Sequence, residues 1–383
     1  MAGKKRSGLK RWIRRNKPLA VFLGVVLVLG VVGLIWCVRQ LQLRRAAEAQ
    51  RAQVESTMPD LQNQSYVHYI DVNENADGTR SYTIDGVFWP NRPYFFAGNH
   101  IFYNGKEYWR NTATKAYLFL GVDTRGTLQR EFDISEVGLS DGIFLVAHNT
   151  AKDTVKIIQI PRDTMTPIYV TDENNQIIGR TIDHLTYAWM YGDSHQLSGE
   201  YAMQAVTWLM GGLPIDGFMA GGMDIIKEAN DAIGGVTVTI EADDLVNADP
   251  SFEKGKTVHL EGDLAERFVR YRDRERDFTA IDRMYNQKQF VMAFEKQLFA
   301  QQKKDKQTIP RLMDAIEGNI ITNMQKAQYM KIAMDIAAKD QLLTDEDYII
   351  LPGESRRGEV FDEFYADELK VTDLILDVFY RPA

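Results

Sequence analysis

Leu19 to Val38 run for twenty residues without a charge, LAVFLGVVLVLGVVGLIWCV. A helix of that length rises about 30 Å, the thickness of a bilayer's hydrocarbon core. This stretch therefore predicts a membrane helix near the start of the chain. Eight basic side chains between Lys4 and Lys17 precede it; Arg39, Arg44, Arg45 and Arg51 follow it. The larger basic cluster is expected to stay in the cytoplasm. The protein then sits in the cell membrane with a single pass, a cytoplasmic N-terminus and an extracellular body. A cleaved signal peptide is the rival reading. Its small-x-small site, Ala47-Glu48-Ala49, lies about ten residues past the run, too far for cleavage, and the run is too long for a signal core. The anchor reading gives a cytoplasmic basic tail at 1–17, a transmembrane signal anchor at 18–38 and a helical stalk at 39–59. Pro59 ends that stalk, because proline breaks a helix interior.

Charge separates the two parts further. The chain has 45 basic and 53 acidic side chains, net −8, but residues 1–51 hold twelve bases and one acid. The remaining residues carry a net −19. So acidic a body excludes a general nucleic-acid binder, which needs a basic surface. Cys37 is the only cysteine, so CxxC metal or redox sites are excluded.

Past the stalk, residues 60–115 alternate aromatic and polar side chains, punctuated by Gly78 and Asn104-Gly105. Asn-Gly between such runs signals a hairpin, and the segment reads as a small β-rich accessory unit. Ala116–Val122, Gly142–His148 and Val155–Ile160 are short apolar runs. Near-continuous runs predict strands buried on both faces. Further strands are expected at 215–219, 236–241 and 347–351. Helical spacing recurs at about 197–210, 223–233, 260–270, 281–304, 324–338 and 367–380. This interleaving predicts an α/β class, an α/β/α sandwich with a central mixed sheet, over 116–383.

Some local motifs do not survive their context. Gly138-Leu139-Ser140-Asp141-Gly142 has the GxSxG form, but a strand-like run follows the serine where a hydrolase elbow needs a helix. Gly255-Lys256-Thr257 lacks the first P-loop glycine, since position 250 is Pro250. The six histidines show no metal-ligand spacing.

Charged residues at the strand ends carry more. Asp123 and Arg125 follow the first run, Asp141 opens the second, and Pro161-Arg162-Asp163 closes the third. Ligands of open α/β sheets gather at such ends. Paired aspartates suit a hard cation such as Mg²⁺, and arginines beside them suit phosphate. Polar strand caps and surface ion pairs are the plainer explanation of each residue alone. A second cluster, at 260–287, sets Arg267, Arg270, Arg272, Arg274, Arg276 and Arg283 among acids. A solvated charge run is its ordinary meaning. Yet Arg283 and Gln287 are four apart on a predicted helix and share a face.

Taken in order, these pieces resemble the LytR–CpsA–Psr proteins. The resemblance rests on GVDTRG at 121–126, SDG at 140–142, IPRD at 160–163 and HLTYAWMYGD at 184–193. LPIDGF at 213–218, IGGV at 233–236, LEG at 260–262, VRYR at 269–272 and DRMYNQ at 282–287 continue it. The tail, with LPGE at 351–354, resembles extended clostridial-type members. The resemblance implies an extracytoplasmic phosphotransferase of the bacterial cytoplasmic membrane. It would move an anionic glycopolymer from a polyprenyl-pyrophosphate carrier onto peptidoglycan. It further implies Mg²⁺ at Asp123 and Asp141, and pyrophosphate contacts from Arg125, Arg162, Arg270, Arg272 and Arg283, with Gln287 beside them. Asp277 matches an acid between the arginine pairs, and Asp163 has a basic or orienting role. His184 and Asn286 stand where the family pattern carries basic residues. Two alternatives stay open: hydrolysis of the polyprenyl pyrophosphate, and a non-catalytic envelope-binding or regulatory module.

Overall fold

A computed structural model describes residues 67–74, 80–84, 87–89, 98–126, 128, 137–172, 174–273, 275–338 and 341–383. The expected tail, anchor and stalk lie outside these residues. Among the described residues, no helix is long and apolar enough to cross a membrane. The larger compact unit comprises residues 59–170 and 179–383.

The first strands are β1 (Val67–Glu74), β2 (Arg80–Ile84), β3 (Val87–Trp89), β4 (His100–Tyr103) and β5 (Lys106–Arg110). The central strands follow: β6 (Thr114–Val122), β7 (Ser140–Asn149) and β8 (Thr154–Gln159). A hairpin of β9 (Met165–Thr171) and β10 (Ile177–His184) leads to helix α1 (His195–Leu209) and strand β11 (Gly217–Gly221). Next come α2 (Asp224–Ala232), the pair β12 (Val236–Thr239) and β13 (Thr257–Leu260), α3 (Asp263–Arg270) and α4 (Thr279–Lys304). The remainder is α5 (Thr308–Ile316), β14 (Ile320–Thr322), α6 (Lys326–Ala337), β15 (Tyr348–Ile350), β16 (Gly353–Arg357), β17 (Asp362–Ala366), α7 (Glu368–Phe379) and β18 (Tyr380–Pro382).

The central sheet has the order β14-β11-β6-β7-β8-β15. It is mixed, since β11 and β15 run parallel to β6 and β8 while β6, β7 and β8 alternate. Helices cover both faces. Leu118, Leu145 and Ile158 point into one core with Val206 and Leu209 of α1 and Ile375 of α7. Met219 lies in the other core with Phe268 of α3 and Leu312 of α5. Helix α1 approaches β11 closely because Gly199 has no side chain. A Cβ there would stand 2.1 Å from the Phe218 ring.

The expectation of strands buried on both faces needs correcting for β6. Its burial alternates along its length, residue by residue. The reason is functional space: Phe119 and Gly121, on the less covered face, line a cavity. The hairpin β9–β10 had no clear sequence signal. Pro167 interrupts its first strand, and proline weakens a strand reading. Helix α5 was hidden by Pro310, which falls in the first turn, where proline is tolerated.

The accessory sheet has the order β18-β5-β4-β1-β2-β3. Its last strand therefore comes from the far end of the chain, with Tyr380 opposite Arg110. The Arg110 guanidinium donates to the Phe379 carbonyl at 2.7 Å.

Candidate active site

The end of β6, the start of β7 and the end of β8 lie at one edge of the central sheet. At this edge the β6–β7 ladder slips: Gly121 opposes Gly142, but Val122 opposes Ser140. Asp141 is the extra residue. A bulge of this kind re-aims a side chain without ending the strand. Ser140, the serine of the discarded hydrolase motif, is fully buried.

Asp141 joins two arginines from different elements. One carboxylate oxygen accepts from Arg162. The other accepts from Nη1 of Arg283, on α4, at 2.9 Å. Arg162 in turn donates from Nε to Asp163 Oδ1 at 3.1 Å, which fixes the plane of its guanidinium. Arg283 is only 6% exposed, and its Nε is buried without a hydrogen-bond partner among the described residues. Burial pulls the Arg283 pKa below the ordinary arginine value, while Asp141 opposes that pull. The group stays cationic, as guanidinium does in proteins. A buried cation with an unsatisfied donor stores affinity for an incoming anion.

Asp123 is placed by Gly138. The Leu139 N–H donates to Asp123 Oδ1 at 2.6 Å, and the Asp123 N–H to the Leu139 carbonyl at 3.0 Å. Gly138 has φ +64°, and a Cβ there would come within 2.5 Å of Thr124 and 3.0 Å of Asp123 Oδ1. Only glycine fits this turn without strain.

Two cavities meet at these residues. One, of about 270 Å³, is walled by apolar side chains such as Phe119, Met219, Ile225, Phe290 and Val291. The other, of about 530 Å³, is polar and carries Arg162, Arg267 and Arg272. Asp123, Asp141, Arg270 and Arg283 line both. An apolar slot thus opens into a cationic mouth.

The remaining sequence-predicted residues divide. Gln287 lines the slot. Arg270 lines both cavities and donates to Glu266 at 2.8 Å. Arg272 lines the mouth and has no hydrogen-bond or ion-pair partner among the described residues. Arg125 lines neither cavity; it is 57% exposed and bound to Glu266 at 2.6 Å and Asp224 at 3.1 Å. Asp277 is also outside both and exposed, 2.8 Å from Arg357. His184 is a structural residue, bridging Asp183 and the Asp362 carbonyl at 3.0 Å each.

Sequence reasoning missed Glu266, Gln159 and Tyr348. Tyr348 donates its hydroxyl to Gln159 Oε1 at 2.8 Å, and Gln159 donates its amide to Gln287 Oε1 at 2.5 Å. With its oxygen engaged, Gln287 is left to offer N–H donors to the slot. Burial raises the Tyr348 pKa, so the phenol remains a donor. A glutamine inside the apolar strand KIIQI was the available signal. Tyr348→Phe and Gln159→Leu are expected to weaken binding of a polyprenyl-pyrophosphate analogue by about 3–10-fold, one neutral hydrogen bond's worth. Calorimetric titration checks this, and unchanged affinity in both variants would remove the relay from the site.

For a metal, the described residues contain no group of three or more potential ligands. Asp123 and Asp141 nevertheless face the same mouth. Two carboxylates are enough for Mg²⁺ when substrate phosphate and water complete its shell. The donor set fits on that condition.

The LytR_cpsA_psr family model matches residues 98–363. The chain belongs to the LytR–CpsA–Psr family. This is an enzyme family, and its match spans the central sheet, both cavities and the helices around them. The polyisoprenyl-teichoic acid–peptidoglycan teichoic acid transferase TagU of Bacillus cereus is 28% identical over 244 residues, covering 63% of this chain and 69% of that protein. TagU of Halalkalibacterium halodurans is 28% identical over 211 residues, covering 54% of this chain and 60% of that one. A Streptococcus agalactiae protein shares the family fold at TM-score 0.53 and 21% identity, covering 69% of this chain and 87% of its own. Bacillus subtilis TagT does so at TM-score 0.50 and 19% identity, with 69% and 89% covered.

Proposed function

We propose that the chain transfers an anionic glycopolymer from a polyprenyl-pyrophosphate carrier to peptidoglycan, as a Mg²⁺-dependent phosphotransferase. One observation carries this reading: the same four residues line an apolar slot and a cationic mouth. That shape suits an amphiphile with a long hydrocarbon tail and a charged head. The TagU relatives are teichoic acid transferases, which agrees with it.

The chemistry follows from charge. A pyrophosphate repels nucleophiles until its negative charge is neutralised. Arg162, Arg270, Arg272 and Arg283 supply cations, and Gln287 supplies neutral donors. Asp123 and Asp141 would hold the metal, which when bound withdraws charge from the phosphates. An acceptor hydroxyl attacks the glycan-side phosphorus. The bond from that phosphorus to the bridging oxygen breaks, polyprenyl phosphate leaves with the electron pair, and the hydroxyl proton is released. Preorganised positive groups stabilise the charge that builds on the departing phosphate. Asp163 acts by orienting Arg162.

The sequence supports a single anchor at 18–38, with residues 1–17 cytoplasmic and the body outside, which would keep the slot at the membrane that holds its lipid. The tail after 351 is read as that of extended, clostridial-type members.

The test uses the detergent-solubilised full chain with a short-chain polyprenyl-pyrophosphate-linked glycan, Mg²⁺ and soluble peptidoglycan fragments. A covalent glycan–peptidoglycan product and acceptor-dependent release of polyprenyl phosphate are expected. Equal release without acceptor would make the protein a hydrolase.

A further inference from the structure

The cationic mouth continues into a second depression of about 500 Å³, with Tyr271 and Arg272 lining both. Its charge is of the opposite sign. The mouth is lined by five arginines and three acids. The second depression is lined by Glu241, Asp243, Asp244 and Asp282 against Arg272 and Arg276. Lys254 pairs with Asp243 at 2.7 Å, and still the carboxylates outnumber the cations. Arg276 is drawn back among Asp244, Asp273 and Asp282 at 2.9–3.1 Å.

Beside Arg272, which is unpaired among the described residues, the depression holds a second polar side chain that is mostly buried. Asn286 is only 8% exposed and lines it, yet its side chain has no hydrogen-bond partner among the described residues. Its amide is not among the fully enclosed unpaired groups, so what the side chain exposes opens on the depression and can pair with a ligand. On the same helix, Tyr285 leaves 59% of its surface exposed while lining the same space. An exposed aromatic ring beside carboxylates and a free amide offers a sugar what it needs. The ring meets the C–H face, carboxylates accept hydroxyl protons, and the amide pairs with an acetamido group.

We infer that this depression is the acceptor subsite, and that it takes a neutral N-acetylated amino sugar. The inference rests on the transfer reading above and adds where the second substrate lies. Contiguity through Arg272 puts a bound hydroxyl next to the pyrophosphate mouth. The excess of carboxylates repels the polyanionic donor chain, so each polymer is directed to its own side of Arg272.

The test is a titration of the full chain, in detergent, with a soluble, uncharged N-acetylglucosamine oligomer, followed by tyrosine fluorescence or calorimetry. Tyr285→Ala and Asn286→Leu are expected to weaken glycan binding about tenfold, the worth of one well-made contact. Binding of a polyprenyl-pyrophosphate analogue should stay unchanged. Tyr285 is exposed, so its variant tests the site without disturbing the core. In the transfer assay the same variants should raise the acceptor KM and leave kcat near the wild-type value. Absent glycan binding, or equal binding by wild type and both variants, would overturn the inference. Competition by soluble polyglycerol phosphate would overturn it too. Intact glycan binding that both variants weaken, without any transfer by the wild type, would overturn the transfer reading and leave a glycan-binding depression standing.

Discussion

Arg283→Ala is expected to lower transfer by about 10²–10³-fold, the usual cost of removing one preorganised charge-stabilising group. The side chain is almost fully buried, bonded to Asp141 at 2.9 Å, and carries an Nε–H with no partner among the described residues. It therefore has a donor to give to a phosphate oxygen. Losing a charged hydrogen bond should cost about 1.5–3 kcal/mol of polyprenyl-pyrophosphate affinity. Arg283→Lys keeps the charge but not the planar fork, so it should recover only part. Arg311, exposed and paired with Asp305 at 2.6 Å, is the comparison. Arg311→Ala should change stability by less than about 0.5 kcal/mol and leave ligand binding intact. Calorimetric titration measures both, and equally small effects would leave Arg283 a structural partner of Asp141 with no part in binding.

Asp141→Ala should do two kinds of damage. It removes a proposed metal ligand, and it leaves the buried Arg283 without its ion-pair partner and Arg162 with Asp163 alone. Breaking a buried ion pair from one side costs about 3–5 kcal/mol. The site is not fully dry, so the lower figure is the one to expect. Thermal unfolding should shift down on the order of 10 °C, and transfer should nearly disappear. Asp123→Ala separates the two effects. Asp123 accepts from a backbone N–H and neutralises no arginine, so its loss should leave stability nearly intact. Its transfer should fall, and more Mg²⁺ should be needed for half-maximal rate. Wild-type Mg²⁺ dependence in Asp123→Ala would end the metal assignment.

The fold was legible wherever periodicity carries it. Apolar runs at Ala116–Val122, Gly142–His148 and Val155–Ile160 became β6, β7 and β8 with shifts of one or two residues. The long helix at 281–304 became Thr279–Lys304. Residue type at a strand end singled out Asp123, Asp141 and Arg162, the family resemblance added Arg270, Arg272 and Arg283, and all six line one cavity. What stayed hidden depends on pairings that no local pattern encodes. The bulge that turns Asp141 toward two arginines appears only once β6 and β7 are in register. Gln159 and Tyr348 are 189 residues apart, and neither is unusual until they meet. Arg125 lies apart from that cluster. Its position after a strand suggested a ligand contact, but Glu266 and Asp224 hold it at the surface.

The pairing of β18 with β5 has a consequence for how the molecule is made. Arg110 is synthesised 269 residues before Phe379, its carbonyl partner beside β18. Until then β5 is an open edge, with unpaired N–H and carbonyl groups able to recruit any passing strand. Such distant pairing is slow to form. Shortened chains that stop before Tyr380 should fold their central sheet and still associate with one another through β5, and masking that edge becomes a late checkpoint in the birth of each molecule.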